Sequence, residues 1–284
     1  MPKFAFFGTP DIAVIVLNIL RETGIVPSVI ITNPDAPQGR KMVLTPPPVK
    51  VWAVTHGIPV LQPQSLRTDA TVEIFLKENG IDLSVVVAYG KIIPQTILSV
   101  PKHGTVNVHP SLLPKLRGAS PVRSAILEDM RETGVSIMLL DKELDHGPIL
   151  AQEVIHVAED AWPLRGQALD TLLATHGGEL LAHTLPSWIA GTLTQREQDH
   201  TSATFCTKIT KEMGELDLAH DPYKNLLKIR AFDGWPGTFF YTEKNGKRMR
   251  VKITDAELNT DGSLKILRII PEGRNEMSYD DFIR

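Results

Sequence analysis

Leu83-Ser84-Val85-Val86-Val87-Ala88, closed by Tyr89-Gly90, is a nearly unbroken apolar run, rich in valine and too short for a helix. A strand of this kind has no face to offer water. It must be covered on both sides, which is the situation of an interior strand in a parallel sheet. Outward from it, Phe4-Ala5-Phe6-Phe7 ends at Gly8, and residues 26–32 form a second strand-like run. Between these runs, apolar residues recur at helical spacing over residues 11–21 and 70–79, and Pro46-Pro47-Pro48 introduces a third helix at residues 49–53. Strands alternating with helices predict βαβ units. The expected fold is α/β: a Rossmann-like, open, mostly parallel sheet with helices on both faces. Ligands of such sheets lie beyond the C-terminal ends of the strands, so the loops after Phe7, Thr32, Ala88 and Val108 are where chemistry is expected.

The chain has 284 residues, 42% hydrophobic and 22% charged, an ordinary globular composition. That length gives a prior of about two domains, and the texture changes where the prior suggests. We expect a first domain over residues 1–190, a polar linker over 191–204 and a small β-rich domain over 205–284. The last contains a helix at 222–232, strands at 238–242, 248–257 and 264–270, and a helical tail at 278–284. Asn245-Gly246 and Asp261-Gly262 are hairpin turns by composition.

Several function classes drop out at once. A single cysteine, Cys206, excludes an internal disulfide and a cysteine-rich zinc site. No apolar run approaches the roughly 20 residues of a membrane span, and no signal peptide is visible, so a cytoplasmic protein with no membrane partner is expected. Net charge is −3, which does not advertise nucleic acid. Gly8-Thr9-Pro10 lacks the G-x-G-x-x-G of a dinucleotide site, and no phosphate-binding P-loop occurs. The nine histidines include no H-E-x-x-H pair, and there is no G-x-S-x-G nucleophile elbow.

What remains is Gly104-Thr105-Val106-Asn107-Val108-His109-Pro110-Ser111-Leu112-Leu113-Pro114. Asn107 and His109 are two apart on a strand, so their side chains share a face. An amide and an imidazole together suit carbonyl chemistry, the amide donating to a developing oxyanion while the imidazole donates or moves a proton. By themselves they are equally compatible with satisfied polar residues at a strand end. A second strand, from Gly134 to Leu140, leads into Asp141-Lys142-Glu143-Leu144-Asp145-His146-Gly147. A carboxylate from that loop beside His109 would orient the imidazole and stabilise charge on it; an acidic loop alone is commonly just solvated.

At these residues the chain resembles the folate-dependent formyltransferases over nearly its whole length, and most closely their methionyl-tRNA branch. Phe7-Gly8-Thr9-Pro10-Asp11, Asn33-Pro34-Asp35-Ala36-Pro37-Gln38-Gly39-Arg40, Gln62-Pro63-Gln64-Ser65-Leu66-Arg67 and Val85-Val86-Val87-Ala88-Tyr89-Gly90-Lys91 resemble that family's blocks. So do Asn107 to Pro114, Leu144-Asp145-His146-Gly147 and the Arg230-Ala231-Phe232 to Trp235-Pro236-Gly237 stretch. The resemblance implies 10-formyltetrahydrofolate as donor, methionyl initiator tRNA as acceptor, no metal, and a monomer of the bacterial cytosol. It implies Asn107, His109 and Asp145 as catalytic residues. The donor would lie against Val87, Ala88, Tyr89, Gly90, Ser111, Leu112, Leu113, Pro114, Leu139 and Asp141, with a cis peptide at Leu113-Pro114. For the tRNA it implies Arg40 and Lys41 in the 33–48 loop, with Lys247, Arg248 and Arg250 in a basic hairpin. A formyltransferase acting on a small amine, such as an amino-sugar nucleotide or glycinamide ribonucleotide, is the alternative, and a non-catalytic folate- or RNA-binding module the bland one. The family's C-terminal domain is an OB-like barrel. Here the chain between residues 251 and 270 is short for it, so a trimmed barrel is expected.

Overall fold

The computed structural model describes residues 2–284 except Arg40 and Asn245, with Lys244 in its backbone alone. The expected tRNA contact Arg40 and the Asn245 half of the Asn245-Gly246 turn therefore lie outside the described residues. The first elements are β1 (Phe4–Gly8), α1 (Asp11–Glu22), β2 (Val29–Ile31), β3 (Ala36–Gln38), β4 (Val43–Thr45), α2 (Pro48–Thr55) and β5 (Val60–Leu61). They are followed by α3 (Thr71–Glu78), β6 (Leu83–Val87), α4 (Gln95–Leu98), β7 (Thr105–His109), β8 (Arg117–Gly118), α5 (Pro121–Leu127), β9 (Glu132–Leu139) and β10 (Ile149–His156). The chain then forms α6 (Gly166–Ile189), β11 (Phe205–Cys206), α7 (Pro222–Ala231), β12 (Thr238–Lys244), β13 (Lys247–Leu258), β14 (Leu264–Pro271), β15 (Met277–Ser278) and α8 (Tyr279–Ile283). No helix among the described residues is long and apolar enough to cross a membrane.

Two compact units emerge. The first comprises Met1–Arg117, Gly134–Ile155 and Thr171–Thr204; the second comprises Gly118–Thr133, His156–Asp170 and Phe205–Arg284. Residues 118–133 and 156–170, which the sequence suggested belong with the first domain, thus group with the C-terminal part, and residues 191–204 pack within the first unit.

In the first unit the sheet runs β10-β9-β7-β6-β1-β2-β5. β1 pairs in parallel with β2 and β6, and β6 with β7, while β9 joins β7 antiparallel. Every residue of β1, β6 and β7 is buried. The pleat sorts their side chains. Phe4, Phe6, Val85, Val87, Val106 and Val108 meet α1, α2 and the C-terminal half of α6 on one face. On the other, Ala5, Phe7, Val86 and Tyr89 meet α3 and α4. α1 follows the spacing read from sequence, burying Ala13, Val16, Leu17 and Leu20. The 33–48 stretch, expected as an irregular loop, contains the β3–β4 hairpin, whose antiparallel register pairs Pro37 with Leu44. α6 can lie close because Gly177 and Gly178 lack side chains: a Cβ there would meet Val108 Cγ1 at 2.7 Å and Ile19 Cδ1 at 2.8 Å.

In the second unit the sheet order is β12-β13-β14-β15, so among the described residues it has four strands, short of a five-stranded OB barrel. Phe240, Val251, Ile253 and Ile269 form its core with Ile229 of α7 and Phe282 of α8. A register shift after Ile253 lets Ala256, three residues on, return to the buried face.

Candidate active site

β7 ends in the middle of the first sheet, and its alternation places Asn107 and His109 on the same face, 9% and 4% exposed. They lie opposite Met138 and Ser136 of β9. His109 Nε2 is 3.0 Å from the carbonyl oxygen of Leu116. A carbonyl can only accept, so this nitrogen carries a proton and donates. Nδ1 takes no part in that bond, and it faces Asp145 Oδ1 at 3.7 Å. That separation is longer than a hydrogen bond but well within the range of strong charge interaction. Asp145 is 8% exposed and holds φ at +47°, a left-handed conformation that Asp tolerates better than most residues.

The loop around Asp145 is closely tied. The His146 ring nitrogen Nδ1 meets Asp141 Oδ2 at 2.7 Å, and Asp141 Oδ1 accepts from Glu143 N–H at 2.8 Å. The glycine of the L-D-H-G motif has a steric reason, since a Cβ on Gly147 would sit 2.1 Å from the Leu139 carbonyl oxygen. Gln198 Nε2 donates to the carbonyls of Asp145 and Gly147 at 2.9 and 2.7 Å.

The expected donor-binding residues fall in three segments. At the end of β6, Val87 is followed by Ala88 at φ +48° and Gly90 at φ +79°, which turns the chain out of the sheet. The Tyr89 side chain points into the core rather than the site: it is 2% exposed and packs edge-on against Phe7 at 5.4 Å. Burial pushes its phenol up to about 12. Its carbonyl accepts from Thr9 Oγ1 and Asn33 Nδ2. Ser111 is committed to its own turn, donating from Oγ to the Lys115 carbonyl at 2.6 Å. Leu113 is buried with Met138 and Ile149, and the Leu113–Pro114 peptide is cis. The main chain at Leu139 and Leu140 is pinned by N–H donation to the carbonyls of Pro148 and Thr105. Among the described residues no cluster of three His, Cys, Asp or Glu side chains is arranged to hold a metal ion.

Lys41 is exposed beside the β3–β4 hairpin. In the second unit the register sets Arg248, Arg250 and Lys252 opposite Glu243, Tyr241 and Phe239, giving one face that mixes cations with rings. The guanidinium of Arg248 lies 3.8 Å over the Tyr241 ring, and that of Arg250 lies 3.7 Å over the Phe239 ring. Lys247 pairs with Lys244 at the hairpin end.

Sequence reasoning missed Gln198, Thr204, the Leu116 carbonyl and Ser136. Only Ser136, a hydroxyl inside the apolar run Val135 to Leu140, carries a local signal. It is fully buried, donates to the Ser111 carbonyl at 2.6 Å and accepts from Leu113 N–H at 3.1 Å.

Comparison with known proteins gives the family. Residues 2–163 match the family described as formyl transferase, and residues 208–262 match the formyl transferase C-terminal domain. The methionyl-tRNA formyltransferase of Halalkalibacterium halodurans is 39% identical, over 99% of this chain and 94% of its own. That of Myxococcus xanthus is 38% identical, over 100% and 95%. Among solved structures, an N-formyltransferase from Helicobacter canadensis in complex with folinic acid and dTDP-3-aminofucose has a TM-score of 0.66 at 18% identity, covering 91% of this chain and 88% of that one. A methionyl-tRNA formyltransferase from Clostridium thermocellum has a TM-score of 0.62 at 16% identity, covering 98% and 100%. These two share the fold. With a family match over more than half of its length and curated relatives of that identity along nearly all of it, the chain belongs to the formyl transferase family, among the methionyl-tRNA formyltransferases.

Proposed function

We propose that the chain transfers the formyl group of 10-formyltetrahydrofolate to the α-amine of methionyl initiator tRNA in the bacterial cytosol, and that Asn107, His109 and Asp145 carry the step. The observation behind this reading is the convergence of an amide and an imidazole on one face of β7, with the Asp145 carboxylate 3.7 Å from His109 Nδ1.

The residues present fit a formyl-tetrahydrofolate donor. A flat, polar pterin is suited by main-chain groups held in fixed directions, which the turn at Ala88 to Gly90 and the pinned segment at Leu139 and Leu140 supply. Ser111 to Pro114 form the other wall, stiffened by the Ser111–Lys115 and Ser136 hydrogen bonds. When bound, the donor supplies a formyl carbon for the amine and a nitrogen that departs. Asn107 donates to the formyl oxygen as negative charge develops there. His109, with Nε2 committed to Leu116, adds a second donor from protonated Nδ1. Asp145 balances the ring's charge and receives the proton shed by the attacking amine, which returns to the departing nitrogen, so that the enzyme ends the cycle unchanged.

For the acceptor, the Arg248–Arg250 face supplies cations against phosphate. Its stacked rings hold the two guanidinium planes in place. Lys247 and Lys41 add exposed charge, and Arg40 is assigned on its sequence motif alone. The test is direct: the protein is incubated with labelled 10-formyltetrahydrofolate and charged initiator tRNA, in parallel with free methionine, an amino-sugar nucleotide and glycinamide ribonucleotide. Formyl label on the methionyl-tRNA is the expected result. Label on a small amine alone overturns the tRNA assignment.

A further inference from the structure

Residues 198–204 read as linker in the sequence, yet the same short stretch touches Asp145 directly and reaches His109 through Leu116. Gln198 is 5% exposed and its amide is filled on both sides. Nε2 donates to the carbonyls of Asp145 and Gly147, at 2.9 and 2.7 Å. Oε1 accepts a fork from Arg117, Nε at 3.1 Å and Nη2 at 2.7 Å. The partners dictate the amide's orientation, because carbonyls only accept and a guanidinium only donates. Both carbonyls flank His146, so the amide closes the turn in which Asp145 adopts its left-handed conformation.

Thr204 does the corresponding work for the imidazole. Its Oγ1 accepts from Leu116 N–H at 2.8 Å. Its main chain accepts from Arg117 N–H at 2.9 Å and donates to the Pro114 carbonyl at 3.3 Å. Leu116, itself at φ +57°, is thereby held with its carbonyl on His109 Nε2. Arg117 joins the two halves, with its main chain on Thr204 and its guanidinium on Gln198.

We propose that Gln198 and Thr204 are positioning residues of the transfer reaction, Gln198 setting the Asp145 carboxylate and Thr204 setting the tautomer and direction of the His109 ring. The inference rests on the reading of His109 and Asp145 as the reacting pair. A valine at 204 keeps the shape and removes the acceptor, a serine keeps the acceptor, and a leucine at 198 removes every amide contact.

The experiment compares Gln198→Leu, Thr204→Val and Thr204→Ser with the unaltered protein. It measures kcat per folded molecule, KM for donor and for charged tRNA, the pH profile of kcat, and the 15N imidazole spectrum of His109 without substrates. Misplacement of a reacting group by an ångström costs up to about 100-fold, so kcat in Gln198→Leu and Thr204→Val is expected to fall about 10- to 100-fold. Both KM values should stay within about twofold, with a displaced pH profile. Thr204→Val should also lose the single Nε2–H tautomer, and Thr204→Ser should restore it. Folded variants with unchanged kcat, pH profile and imidazole spectrum overturn the proposal; should Gln198→Leu not fold, the Thr204 pair decides it. An unaltered protein that fails to formylate charged tRNA, with the Nε2–H tautomer still dependent on Thr204, counts against the functional reading and leaves the positioning geometry standing.

Discussion

The Nε2–H of His109 donates to the main-chain carbonyl of Leu116 at 3.0 Å, so Nδ1 is the nitrogen that faces Asp145. The ring's tautomer is therefore set by a backbone group, and the carboxylate acts on its charge. In this arrangement the ring is held by Leu116 and does not depend on Asp145 to keep it in place.

Asn107→Ala removes the amide proposed to donate to the formyl oxygen. Loss of one preorganised oxyanion donor typically costs about 3–4 kcal/mol, or 100- to 1,000-fold in kcat. Steady-state kinetics at saturating donor should show that fall with an unchanged melting temperature, and wild-type turnover would remove Asn107 from the catalytic set.

Asp145→Asn preserves the side chain's shape and discards its charge. Turnover is expected to drop by about 100-fold or more, the scale on which positioned acid–base groups act. Donor affinity, followed by fluorescence titration, should hardly change.

Gly147→Ala tests the close approach behind the L-D-H-G motif. The added methyl would stand 2.1 Å from the Leu139 carbonyl oxygen, and backbone must move to admit it. Overpacking of this kind costs about 1–3 kcal/mol. Because the shift falls two residues from Asp145, kcat and thermal stability should decline together. A variant with native stability and turnover would show the approach to be soft.

Tyr89 carries a hydroxyl with no hydrogen-bond partner among the described residues, and burial holds its phenol at about 12. The unfolded chain ionises first, near the ordinary value of 10.0. Stability supplied by the neutral phenol is therefore present below that value and lost as pH rises towards 12. Tyr89→Phe should flatten this alkaline decline in a series of denaturant melts, at little cost at neutral pH. An identical decline in both proteins would place the titrating group elsewhere.

Arg248→Gln and Arg250→Gln should each raise KM for charged tRNA and leave KM for the donor alone. Each should also reduce the dependence of log affinity on log salt by about one unit. Arg→Lys at either position should rescue incompletely, since an ammonium does not stack on the Tyr241 or Phe239 ring as a guanidinium plane does. Equal salt slopes across the series would remove this face from the interface.

The local sequence determined a good deal. Runs such as Leu83–Val87 have no polar face, so their place inside a covered parallel sheet follows from composition alone. Alternation likewise dictates that Asn107 and His109 share a side, because the strand period is two residues and independent of context. Helix α7, strands β12, β13 and β14 and the terminal helix fall close to where periodicity and turn residues put them. The β3–β4 hairpin did not show, since Pro37 and Gly39 mask a pairing made by only three residues on each side.

Tertiary structure alone decided how the pair at the centre is held. Asp145 and His109 are 36 positions apart, and their 3.7 Å separation exists because the loop that leaves β9 beside Val106 doubles back towards the His109 end of β7. Gln198 and Thr204 sit in a polar run with no periodicity. Their roles come from hydrogen bonds to main-chain carbonyls and N–H groups, which every residue possesses and no side-chain pattern records. Hydrophobic spacing is written locally because water is everywhere. A specific polar contact is not, because its partner is brought near only when the chain has folded.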